Sequence, residues 1–144
     1  MDLFNLFSLI AAAFSGATMG SFLLVTLLYS ALLKQTRNLN NNLFIYRRLY
    51  RLNTALSLLG GVCAALTNNR SAAFMLAIIA ASYVFNHAHI LKGLTKTCNE
   101  NYQVVNFNNY RALSSLQNLM HLGQFTAAGY VIYLLAIQNL AITS

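Results

Sequence analysis

The chain has 144 residues, of which 58% are hydrophobic and 8% charged, with a formal net charge of +7 and neither proline nor tryptophan. A soluble domain carries about 25% charged residues, so this composition speaks against a soluble fold and for a membrane protein. In a soluble chain the basic excess would suggest nucleic acid, but here the charges cluster between apolar runs and form no basic stripe interleaved with stacking aromatics, so nucleic acid is not the expected partner.

Four apolar segments follow in chain order, at about residues 7–33, 52–67, 72–91 and 112–142, and a spanning helix needs ~20 residues. The second is the short one, and the arginines at its edge would snorkel to the interface. Helices of a soluble bundle would carry polar outer faces, which these lack. The expected fold is therefore all-α: one antiparallel four-helix transmembrane domain over residues 1–144.

In the first segment Ala12, Gly16 and Gly20 recur every fourth position and leave a smooth groove where another backbone can approach. Gly60 and Gly61, with Ala64 and Ala65 one turn on, offer the matching surface on the second segment. The expected use is packing of these two helices within the chain, with homodimerisation as the other outcome. The N-terminal run begins MDLFNLF without a basic region and exceeds the length of a cleaved signal, so it reads as a retained helix.

Between the first and second segments lie Lys34, Arg37, Arg47, Arg48 and Arg51, and Lys92, Lys96 and Arg111 border the third connection. Only Arg70 occupies the tight second turn, TNNRS. By the positive-inside rule the first and third connections face the cytoplasm and both chain ends lie on the other side. The stretch from Asn38 to Asn42 reads as part of a cytoplasmic loop that, with its arginines, sets topology or meets anionic headgroups or a partner. Cys63 falls in the second helix and Cys98 in the third connection. They have no paired spacing, so neither a disulfide nor a zinc or dithiol site is expected.

The third segment ends in SYVFNHAH, and polar side chains at membrane depth commonly mark working sites. At 100° per residue Ser82, Asn86 and His89 share one face, while His87 points elsewhere beside Tyr83. The fourth segment repeats the pattern in SSLQNLMH with Ser114, Asn118 and His121, widened by Gln117 and Gln124. Counted inward from Lys92 and Arg111, these residues pair as rungs: His89 with Ser114, Asn86 with Asn118, and Ser82 with His121. Such a ladder satisfies side chains that lipid cannot hydrate.

Haem or metal ligation by His87, His89 and His121 is the lesser alternative. His87 and His121 differ in height by five residues, roughly 7.5 Å of helix rise, and His87 and His89 diverge by ~200°. No cofactor is expected. The only acidic side chains, Asp2 and Glu100, lie outside the apolar segments, so neither a paired acid and base nor a serine–histidine–acid arrangement can form in the bundle. His121, among Asn118, Gln117 and Gln124, is the one candidate base for an apolar substrate held between helices.

The opening FSGATMGSFLLVTLLYSALL and the basic loop with IYRRLYRLNTALSLLGG resemble the first half of a bacterial family of small four-helix membrane proteins, to which a human platinum-resistance-associated transmembrane protein is related. FNNYRALSSLQNLMHLGQF resembles that family's last-helix signature at Phe107, Leu113, Ser114 and Asn118. Arg111 stands where the signature usually has histidine, and a proline after the third helix is missing. The general layout is also similar to that of four-helix membrane proteins that include anthrone-oxygenase-like enzymes, which use no bound cofactor. The first family has no established activity, so the resemblance implies fold and topology only.

The expected function is that of a small, non-catalytic integral membrane protein: an accessory or scaffold subunit, multi-pass in a bacterial inner membrane. It would pack against itself or a larger membrane partner. The alternative is a membrane pocket protein that binds or transforms an apolar small molecule near His121.

Overall fold

With no proline in the chain, each apolar run is free to continue as helix until its polar border. The computed structural model describes residues 3–32, 39–98 and 103–143, and among these the regular elements are all helical. They are α1 (Leu3–Leu32), α2 (Leu39–Leu66), α3 (Arg70–Phe85), a π-helical turn (Asn86–Ile90), α4 (Leu91–Lys96) and α5 (Phe107–Thr143). The third segment is continuous from Arg70 to Lys96, so the elements make four rods, each long and apolar enough to cross a membrane.

The largest departure from the expected bounds is α2, which starts at Leu39 rather than near residue 52 and contains a 24-residue apolar stretch, Leu43–Leu66. Leu39 to Asn42 therefore belong to a helix and not to a loop, and Arg47, Arg48 and Arg51 are helical as well. Arginine is a good helix former, and all three side chains are exposed, so nothing in this stretch stops the helix. Lys34, Arg37, Asn38, Asp2 and Glu100 lie outside the described residues.

Consecutive rods run antiparallel. Ser21 meets Asn53 and Phe14 meets Gly60, so α1 and α2 pass in opposite directions. Gly93 approaches Leu113 while Ser82 meets Gln124, so the third rod and α5 do the same. Rods one and four also pack directly, through Ser15 Oγ donating to Ala128 O at 3.1 Å. The result is an up-and-down ring in which α2 and α5 face each other across the centre.

Buried positions recur at alternating steps of three and four: Ser8, Ala11, Ser15, Thr18 on α1, Tyr50, Asn53, Ser57, Gly60, Ala64 on α2, and Gln117, His121, Gln124, Ala128, Val131, Leu135 on α5. That alternation is the seam of helices packed at small crossing angles. Serine, threonine, asparagine and glutamine occupy much of this seam, whereas Leu9, Leu59, Val62, Phe74, Leu119 and Tyr133 are exposed. An apolar exterior around a partly polar seam suits a bundle whose solvent is lipid.

The turn TNNRS is held from both sides. Asn68 takes the left-handed conformation (φ 56°) that asparagine tolerates after a helix end. Asn69 caps α3 by accepting from the Ala72 N–H at 3.0 Å. Its amide nitrogen donates to Gln138 Oε1 at 2.7 Å, and Gln138 Nε2 donates to Thr67 O at 2.8 Å, which ties the turn to α5. At the opposite end a single antiparallel bridge, Cys98 to Val104, closes the α4–α5 connection. Cys63 and Cys98 are free thiols.

Candidate functional site

The polar groups at the centre of the bundle form one directed chain. Gln117 Nε2 donates to the Tyr50 hydroxyl oxygen at 2.5 Å, and that hydroxyl donates to His121 Nε2 at 3.0 Å. His121 Nδ1 donates to Gln124 Oε1 at 3.1 Å, Gln124 Nε2 donates to Ser82 Oγ at 2.7 Å, and Ser82 Oγ donates to Ile79 O at 2.7 Å. An amide oxygen can only accept, so Gln124 Oε1 places the imidazole proton on Nδ1, and Nε2 is left to accept from the Tyr50 hydroxyl. Tyr46 and Tyr50 flank the imidazole at centroid distances of 6.0 and 5.5 Å. A histidine with both ring nitrogens bonded, in a network of amides and hydroxyls, ties α2, the third rod and α5 together.

The expected ladder is corrected in its details. Ser82 does not meet His121: it bonds Gln124, three residues further along α5, and Gln124 links it to the imidazole. The asparagine rung does not form: Asn118 is exposed, while Asn86 is fully buried with neither amide atom bonded to protein. Asn118 misses the centre because the seam of α5 runs through Gln117, His121 and Gln124, and Asn118 sits ~100° from Gln117. The His89–Ser114 rung is also absent. His89 is exposed and stacks on Phe85 at 4.9 Å, and Ser114 borders a hollow with Arg111 and Asn118.

His89 lies inside a π turn. The Leu91 N–H bonds to Asn86 O, five residues back, so one extra residue is taken into the turn. The buried positions before, within and at the end of it are Tyr83, Asn86 and Ile90, and His89, one residue short of Ile90, falls outside that seam. π turns recur at functional sites. Here the turn is the NHAHI segment, which the sequence marks as unusual through its polar residues.

The three histidines go to three places: His121 to the core, His89 to the surface, and His87 to a cleft shared with Tyr50 and Arg51. Among the described residues no three histidine, cysteine or acidic side chains gather as a metal site would require. The glycines divide as well. Gly60 packs on α1, where an added Cβ would lie 3.3 Å from Phe14 Cβ, and Gly61 faces Leu76 and Ala73. Gly16 and Gly20 have open space beside them, so the α1–α2 contact uses the Ala11 and Phe14 side of α1 and not the Ala12, Gly16, Gly20 groove.

Tyr50, the hub of the chain, is the residue that reading for histidines and serines misses. The spacing Leu43, Tyr46, Tyr50, Asn53, Ser57 was the available signal, because it continues the three–four seam through the basic stretch.

Asn86 supplies a direct test. A buried amide without a partner costs about 1–3 kcal/mol, so Asn86→Leu, close in volume, should raise stability by that order in denaturant unfolding of the detergent-solubilised protein. A fall in stability would place an ordered water on the amide.

Compared with known proteins, the chain matches no family model, no curated protein and no solved structure.

Proposed function

We propose that this chain is a non-catalytic accessory or scaffold subunit of a bacterial inner membrane, with both ends on the non-cytoplasmic side, packing against a second copy or a larger membrane protein. The observation that carries the reading is the Gln117–Tyr50–His121–Gln124–Ser82 chain, in which each side chain is bonded to the next and His121, the candidate base, has both ring nitrogens engaged. Charge placement supports the orientation. Arg47, Arg48, Arg51, Lys92, Lys96 and Arg111 lie at one end of the rods and Arg70 at the other. The lipid-facing groove of α1 supports the packing role: Ala13, Ala17 and Gly20 are exposed, and no side chain fills the space beside Gly16 and Gly20.

The test is the double substitution Gly16→Leu with Gly20→Leu. Both side chains enter open space, so thermal stability in detergent should change by less than about 1 kcal/mol. Oligomer mass or partner recovery from mild detergent should fall several-fold. An unchanged assembly profile in a folded variant would remove the reading.

One observation favours the second reading, a pocket for an apolar small molecule near His121: the unpaired amide of Asn86 at the π turn. Under that reading Asn86→Leu would abolish ligand retention while the bundle stays folded.

A further inference from the structure

On α2, Arg47 and Arg51 stand four residues apart on one face. Arg48 points away and lies 4.3 Å over the ring of Phe44. Arg47 and Arg51 face the π turn and α4, and with His87 and Lys92 they line a cleft of about 310 Å³ floored by Ala88 and Leu91. None of the residues in the four rods is acidic, so three permanent cations converge at one mouth without a carboxylate on any helix around them. Like charges so placed repel, and an anion from outside the bundle relieves that repulsion.

The cleft continues inward. A second hollow of about 230 Å³ shares Arg51 and His87 and adds Tyr50, Thr54 and Val84. On α2 the lining moves from Arg47 to Thr54, and on the third rod from Lys92 back to Val84. Because the two rods are antiparallel, both progressions lead from the basic end toward the middle of the bundle. Among the groups lining the inner part, the His87 Nε2 atom is buried without a protein partner.

We propose that this groove is a binding site for one anionic phospholipid, its phosphate held by Arg47, Arg51 and Lys92 and its acyl chain descending along Val84 and Thr54. Guanidinium groups bond phosphate oxygens in pairs, and basic pockets between helices on the cytoplasmic side suit such headgroups. Free phosphate shares the headgroup chemistry, but at the mouth it would leave the inner hollow beside Val84 and Thr54 unfilled. The inference rests on the membrane reading above and is independent of the accessory role.

The experiment is native mass spectrometry of the detergent-purified full chain titrated with phosphatidylglycerol and, separately, phosphatidylcholine of the same acyl chains. One phosphatidylglycerol should bind at least tenfold tighter than phosphatidylcholine. At about fivefold per cation, Arg47→Gln or Lys92→Gln alone should weaken it about fivefold, and the triple variant with Arg51→Gln roughly 100-fold. Arg70→Gln, which removes the same charge at the other end, should leave it unchanged. The exposed single variants keep the test open if the triple variant does not fold.

Equal binding of the two lipids would overturn the site while leaving the membrane reading standing, whereas a chain that stays soluble without detergent would overturn both. Displacement of the lipid by inorganic phosphate at matching concentration would assign the cleft to the free ion. A phosphatidylglycerol bearing a diazirine in its upper acyl chain should label peptides containing Thr54 and Val84, and labelling confined to other faces would also overturn the proposal.

Discussion

Replacing Tyr50 by alanine should lower the unfolding free energy by about 3–5 kcal/mol, the usual cost of deleting a buried aromatic ring. Tyr50 is fully buried, its hydroxyl joins Gln117 to His121, and its ring lies 5.5 Å from the imidazole and 6.1 Å from Tyr83. Tyr50→Phe isolates the hydroxyl. Interhelical hydrogen bonds in membranes average ~0.6 kcal/mol, so losing two costs about 1 kcal/mol, and the stranded groups on Gln117 and His121 add to it. The difference between the two variants is then mostly packing. Adding Gln117→Leu to Tyr50→Phe removes one stranded donor and should recover part of the loss. Reversible unfolding in mixed micelles, followed by helicity, measures all three. A silent Tyr50→Phe would mean that the chain of hydrogen bonds orders the core without stabilising it.

The same numbers show why polar groups in this bundle set register more than stability. A ring and its contacts outweigh any one hydrogen bond severalfold, yet only the bonds distinguish one axial setting of α5 from another. Sliding α5 by one turn would keep leucine and alanine against apolar neighbours, but it would part His121 from Tyr50 and Gln124 from Ser82. Gln138, bonded to Thr67 O and Asn69 at the far end, would part at the same time. Two polar clamps on one helix thus fix its height at both ends.

The class of fold was legible because it depends on bulk properties: four apolar runs with the charges clustered between them. The level of Ser82 was legible to within about one turn: counting inward from Lys92 and Arg111 sets it against His121, whereas it bonds Gln124, three residues further along α5. Azimuth was harder to read. A five-residue π turn at Asn86–Ile90 winds more slowly than an α-helix, and a count at 100° per residue cannot register it; His89, inside the turn, lies outside the seam that Tyr83, Asn86 and Ile90 occupy. The start of α2 was hidden for a different reason. Arg47, Arg48 and Arg51 read as a loop by polarity, although long side chains reaching outward let a helix continue beneath them. The α1 groove differs from the expected one because glycine and alanine mark where a helix can approach, whereas Ala11, Ser15 and Thr18, one or two positions over, are small as well and are the ones enclosed.

Gly60→Leu should be among the most disruptive single changes in the bundle, and the reason lies in what surrounds the glycine. An added Cβ meets Phe14 Cβ at 3.3 Å, Leu76 Cδ1 at 3.4 Å and Ala11 O at 3.7 Å. Leu76 can turn its tip aside. Phe14 Cβ and Ala11 O belong to the α1 backbone or sit directly on it, so α1 itself must move. For alanine the shift is a few tenths of an ångström, and the helix preference for alanine over glycine, about 1 kcal/mol, offsets it, so Gly60→Ala should be near neutral. Leucine adds a branched group to a filled space and should cost about 3 kcal/mol or more. The loss falls on one interface, because α1 is pushed away from α2 while the third rod and α5 keep their contacts. Ser21 and Asn53, bonded at 2.9 Å across that interface, provide the readout. Cysteines at both positions, in a background with Cys63 and Cys98 replaced, should cross-link readily in the parent and in Gly60→Ala, and poorly in Gly60→Leu. Gly16→Leu should cross-link like the parent, since its side chain enters open space. Equal cross-linking in all four proteins would mean that α1 does not rest on Gly60.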